Sequence, residues 1–84
     1  MSMVPLIVNF EGDFVLQLVP VENHFNMDQV AEAAAVHSLN RRVKPQPGRT
    51  LRVRVQDVET PIDRQSTVTE AGFREMETIE VYYE

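Results

Sequence analysis

Apolar and basic residues alternate without a break along Leu51-Arg52-Val53-Arg54-Val55. A period of two marks a strand with one buried face, so Leu51, Val53 and Val55 are expected inward and Arg52 and Arg54 outward. Val4–Phe10 is rich in β-branched and aromatic residues and predicts another strand, with Pro5 near its start, where a missing ladder donor is tolerated. Glu11-Gly12-Asp13 offers a turn and Phe14–Val19 a return strand, together an N-terminal hairpin. Filling a core with Leu6, Val8, Phe10, Phe14, Leu16 and Leu18 leaves Ile7, Val15 and Val19 pointing outward.

The period changes at Asn26. From Met27 to about Leu39 there is no Gly or Pro, and Met27, Val30, Ala31, Ala34, Ala35 and Ser38 share one helical face. Asn26 with Gln29 three residues on predicts a capping box, and the small face suits close packing on a sheet. Pro45-Gln46-Pro47-Gly48 predicts a turn, and Pro61 a loop with a short edge strand near Ile62. Thr67 and Glu70 form a second capping-box pattern, which Gly72 can end after one helical turn. Thr78–Tyr83 closes the chain as a strand with Ile79, Val81 and Tyr83 on one side and Glu80 and Tyr82 on the other. A hairpin, a crossover helix and two or three later strands is the order of an α+β, β-grasp (ubiquitin-like) fold. It would have a mixed four- to five-stranded sheet and one main helix on one face. No linker or repeat interrupts residues 1–84, so one domain is expected.

Charge alters the picture. Residues 1–40 carry five acids and no Lys or Arg, residues 41–54 carry six basic residues and no acid, and residues 55–84 carry eight acids against Arg64 and Arg74. The net charge of −5 argues against a general nucleic-acid binder, and no apolar run is long enough to span a membrane. With no cysteine, disulfides, thiolate zinc sites and iron–sulfur clusters are excluded. A cytoplasmic location is expected, since no basic residue precedes the short apolar stretch near the start. His37 has no ligand-type residue three or four positions away and reads as a helix-end histidine; His24 reads as solvent-exposed. Ser2, Ser38 and Ser66 lack a nucleophile-elbow context, and the three glycines form no phosphate loop. The chain alone is therefore not expected to be an enzyme, and neither catalytic, cofactor nor metal residues are assigned to it.

What remains is binding. Ile7, Val15 and Val19, with Arg52, Arg54 and Tyr82, would form an open sheet face of the composition that interfaces favour, and Arg41 and Arg42 would extend it from the helix end. The plainer reading of the strand arginines is that they pair with acids such as Glu80 across the sheet. The sequence ends Tyr82-Tyr83-Glu84, without the Gly-Gly tail of ubiquitin-type modifiers and sulfur carriers.

Three runs carry a resemblance: Asp13-Phe14-Val15-Leu16-Gln17-Leu18-Val19, Met27-Asp28-Gln29-Val30-Ala31-Glu32, and His37-Ser38-Leu39-Asn40-Arg41-Arg42-Val43. They resemble the gamma subunit of toluene monooxygenase hydroxylases, within the four-component soluble diiron monooxygenases. The resemblance implies a non-catalytic component that packs directly on the alpha subunit, with a beta subunit, in an (alpha-beta-gamma)2 assembly. It implies a diiron centre in alpha, none in this chain, and an NADH- and O2-dependent oxidation of aromatic or alkene hydrocarbons. Thr60-Pro61-Ile62-Asp63-Arg64 departs from the aromatic-Pro-Arg run of the toluene enzymes, so the hydrocarbon stays open. The alternative is a free-standing ubiquitin-like adaptor. A neighbouring gene with two Glu-x-x-His motifs, the ligand spacing of diiron bundles, would favour the first reading.

Overall fold

The computed structural model describes residues 3–13, 15–38 and 48–84. In chain order these form β1 (Met3–Phe10), β2 (Gln17–Glu22), α1 (Met27–Ser38), β3 (Leu51–Val55), α2 (Val68–Ala71) and β4 (Glu77–Tyr83). The sheet order is β2-β1-β4-β3. β1 and β4 run parallel at its centre, and β2 and β3 flank them antiparallel. This is the expected β-grasp, with α1 as the crossover. Leu6, Phe10, Val21, Val53, Ile79 and Val81 are buried on the sheet's inner face, against Met27, Val30, Ala31 and Ala34 of α1. The alanines leave no long side chains between backbones, so the helix beds close to the strands.

Both capping boxes form. Gln29 N–H donates to Asn26 Oδ1 at 2.9 Å, and Asn26 N–H donates to Gln29 Oε1 at 2.9 Å. Thr67 and Glu70 repeat the exchange at α2, and Gly72 ends that helix at φ +73°, a left-handed value that glycine takes most readily. The two helix starts are joined by a bridge between Asn26 and Thr67 and by Val68 N–H donating to the Phe25 carbonyl at 2.8 Å. Arg64 adds two bonds to Asp28 in the first turn of α1, at 2.8 and 2.9 Å.

The hydrogen bonds from Arg64 hold the Asp28 carboxyl below its ordinary range. A carboxyl depressed in the folded state stabilises the fold above its unfolded pKa of ~3.9 and loses that contribution as pH falls through the folded value. Asp28→Asn should lower Tm by about 1–4 °C at pH 7, since an exposed pair contributes little. Thermal melts of the two proteins should converge as the pH falls below the ordinary carboxylate range and Asp28 becomes protonated in the folded state.

Two expectations fail here. The described return strand, β2, begins only at Gln17, so Val15 and Leu16 lie outside it; Phe14, also expected in the strand and the core, lies outside the described residues. Its facing is also reversed, with Val19 2% exposed and Leu18 58% exposed. The cause is register: Val19 lies opposite Leu6, and residues directly opposite in an antiparallel pair share a face, so Val19 follows Leu6 inward. Leu16, also expected in the core, is 60% exposed. The edge strand near Ile62 is reduced to one bond, Ile62 N–H to the Val53 carbonyl at 2.8 Å; Pro61 beside it supplies no donor.

Candidate docking interface

The sheet face away from α1 is built from alternate residues of all four strands. Register sets Ile7 beside Leu18 and Thr78, Asn9 beside Glu80, Glu80 beside Arg54, and Tyr82 beside Arg52. The face divides into two halves of different chemistry.

The β1–β2 half is apolar. Met3 and Leu18 are each more than half exposed, Ile7 and Pro5 are partly exposed, and Pro20 is exposed opposite Pro5. Val15 lies in the adjoining loop, 39% exposed, where its N–H donates to Asp13 Oδ1 at 3.1 Å. So many partly exposed aliphatic groups in one patch is the composition that interaction surfaces favour.

The β3–β4 half is ionic and internally matched. Arg54 Nε donates to Glu80 Oε1 at 2.6 Å, and its guanidinium lies 4.5 Å from the centre of the Tyr82 ring. The hydrogen bond from Arg54 to Glu80 holds that guanidinium more firmly protonated than usual. Arg52 is largely covered: its side chain is 17% exposed, with Nη1 donating to Glu84 Oε1 at 2.8 Å and Nη2 to the Ile62 carbonyl at 3.3 Å. Its Nε is buried with no hydrogen-bond partner. Arg49 Nη2 donates to the Tyr83 carbonyl at 3.2 Å. The plainer reading of Arg52 and Arg54, pairing across the sheet, therefore describes their contacts.

Beside Arg54 the surface dips into an open trough of about 580 Å³ lined by Arg54, Asp57, Val58, Glu59 and Glu80. A hollow of about 190 Å³ adjoins it through the same Arg54 and Glu80 and adds Asn9 and Glu11. On the opposite side of the molecule, Phe25, Ala33 and Val36 line a shallow depression with Gln29 and Glu32. His24 is exposed, as expected, with its ring edge-on to Phe25 at 5.4 Å.

Of the residues singled out for docking, the structure brings Ile7, Arg52, Arg54 and Tyr82 onto one face and sets Val15 in the adjoining loop. It removes Val19 to the core, and Arg41 and Arg42 lie outside the described residues. Leu18, Met3 and the two prolines share the apolar half of this face and were not singled out in the sequence, where Leu18 is expected in the core and the strand is expected to end at Val19, before Pro20. Among the described residues no three His, Cys, Asp or Glu side chains converge as a metal-ligand set. No helix among them is long and apolar enough to cross a membrane.

Comparison with known proteins adds identity to geometry. The family described as Toluene-4-monooxygenase system protein B (TmoB) matches residues 3–83. The hydroxylase component subunit gamma of the toluene-4-monooxygenase system of Ectopseudomonas mendocina is 43% identical over 84 residues, covering 100% of this chain and 99% of that one. The oxygenase component subunit gamma of the alkene monooxygenase system of Xanthobacter autotrophicus is 46% identical over 50 residues, 60% of this chain and 57% of that one. A chain in the solved toluene 4-monooxygenase HD complex with the inhibitor 4-bromobenzoate superposes with a TM-score of 0.95 at 42% identity, covering 99% of this chain and 100% of that one. A ubiquitin from Caldiarchaeum subterraneum shares the fold, with a TM-score of 0.73 at 11% identity over 99% of this chain and 95% of that one.

Proposed function

The chain belongs to the toluene-4-monooxygenase system protein B family, and from that membership we propose that it serves as the gamma subunit of the hydroxylase component of a hydrocarbon monooxygenase. The observation that carries this reading is the full-length likeness to a hydroxylase gamma subunit, at 43% identity. The architecture supports it: a small β-grasp with an open, partly aliphatic sheet face and no ligand set among its described residues suits a binding component.

In this reading the chain is non-catalytic and packs on the alpha subunit of an (alpha-beta-gamma)2 assembly in the cytoplasm. The diiron centre implied by the family belongs to alpha, where it would activate O2 with electrons from NADH. The residues described here supply no ligands for it. What this chain contributes is a preorganised surface. Ile7 and Val15 keep their proposed contact role, Leu18 takes the place given to Val19, and Tyr82 anchors the ionic half. Arg52 and Arg54 act by holding β3 and β4 in register, and Arg41 and Arg42 extend the contact from the helix end. The relatives divide between toluene and alkene systems, and a subunit acting through this face serves either substrate class.

Affinity purification of the tagged chain from its native host tests the reading. Two larger chains should co-elute in equal amount, one of them carrying two Glu-x-x-His motifs. A chain that elutes alone, or with partners lacking those motifs, returns the protein to the free-standing adaptor class.

A further inference from the structure

The manner of docking can be taken further, on the footing of the gamma-subunit reading. Neither edge of the sheet is open to a partner strand along its length. In β2, Pro20 sits mid-strand opposite Pro5. Two prolines cannot exchange the paired N–H to carbonyl bonds of a hydrogen-bonded site, so this is a non-hydrogen-bonded pair. The ring nitrogen of Pro20 then faces the free edge, where it offers no donor. In β3, the Val53 carbonyl already accepts from Ile62 N–H at 2.8 Å. A partner must therefore meet side chains on a face.

On the open face the ionic half has spent its charges internally, through Arg52 with Glu84 and Arg54 with Glu80. The aliphatic half around Ile7 and Leu18 has no such neighbours. The trough on the β4–β3 side of the same face is unbalanced: with Glu80 paired to Arg54, Asp57 and Glu59 line it without a cation of their own among the described residues, and Glu11 adds a further carboxylate through the adjoining hollow. Asp57 and Glu59 are exposed, and no ion pair is formed by either among the described residues.

We propose that the open face receives a segment of the partner subunit that lays an apolar ridge over Ile7 and Leu18 and directs an arginine or lysine beside it into the trough between Asp57, Glu59 and Glu80. Ile7 and Glu80 stand two residues along and one strand across from each other, about 8 Å between backbones. That spacing matches residues about five apart on a helix, at ~1.5 Å rise each. The ridge supplies most of the affinity, and the cation supplies orientation and rate.

The test measures association and dissociation rates of the full chain with its co-purified partner subunits across a salt series. Asp57→Asn with Glu59→Gln should slow association about three- to tenfold at low salt and flatten its salt dependence, with dissociation nearly unchanged. Asparagine tolerates the positive φ of 68° at position 57, so the double variant keeps its backbone. Leu18→Ala should speed dissociation about tenfold and leave the salt dependence as it was. Wild-type and double-variant rates that coincide at every salt concentration overturn the cation, and a Leu18→Ala variant that dissociates like wild type overturns the ridge. A wild-type chain that never assembles overturns the gamma-subunit reading along with both.

Discussion

Val19→Asp should leave the chain unfolded at 25 °C, while its neighbour Leu18→Asp should fold and melt within a few degrees of wild type. Val19 is 2% exposed and lies opposite Leu6, which is fully buried. A carboxylate there would be stripped of water with no cation to meet it, at a cost of several kcal/mol. A domain of 84 residues has a total stability of roughly 4–12 kcal/mol. Leu18 projects from the other side, 58% exposed, where a charge is solvated and changes stability by about 0.5 kcal/mol or less. Far-UV circular dichroism of the two variants decides the matter. If Leu18→Asp unfolds and Val19→Asp survives, β2 has the opposite facing and the docking face is wrongly drawn. The folded Leu18→Asp protein should fail to retain its proposed partner on an affinity column, because a charge would face the partner's apolar ridge.

The second large effect concerns the centre of the core. Phe10, 1% exposed, closes β1 beside Val81 and meets the Tyr83 ring edge-on, with centroids 6.4 Å apart and planes at 80°. Phe10→Ala removes the ring, its pairing with Tyr83 and the apolar area it covers, and leaves a cavity that a closely packed sheet and helix cannot collapse. Such changes cost about 3–5 kcal/mol. Urea titration should show the midpoint falling by half or more with the slope nearly unchanged. Phe10→Leu should lose distinctly less, since it keeps apolar volume and forfeits the edge-on contact. Equal losses for the two would mean that the ring pair and the cavity contribute little.

The local elements were readable in the chain because their signals are local. Asn26 with Gln29, and Thr67 with Glu70 and Gly72, each announce a helix end within a few residues, and both boxes form. The alternation at Leu51–Val55 likewise fixes β3 residue for residue. Residues 15–21 failed for a physical reason. Val15, Leu16, Leu18, Val19 and Val21 are apolar on both parities, so the run holds two equally good strands, and the choice is made by Leu6 from the facing strand. The docking face was half legible for the same reason. Alternation told which way Arg54 points and offered Glu80, 26 residues away, as its cross-strand partner, and that pair forms; the apolar half was misdrawn with the facing of β2. The trough was not legible at all: Asp57 and Met76 take positive φ without being glycine, so nothing in composition marked those bends.

The parallel pairing of β1 with β4 has a consequence for how the protein is made. Among the described residues β4 is the one strand neighbour of β3 and the inner neighbour of β1, yet it is the last of these four strands to leave the ribosome. Until it emerges, β3 has nothing to pair with and the hairpin holds its apolar face against α1 alone. Closing a sheet between segments so far apart in sequence costs more search than any local pairing, so folding waits until β4 has emerged and then proceeds as one step. A nascent chain halted before residue 77 should thus be protease-sensitive throughout.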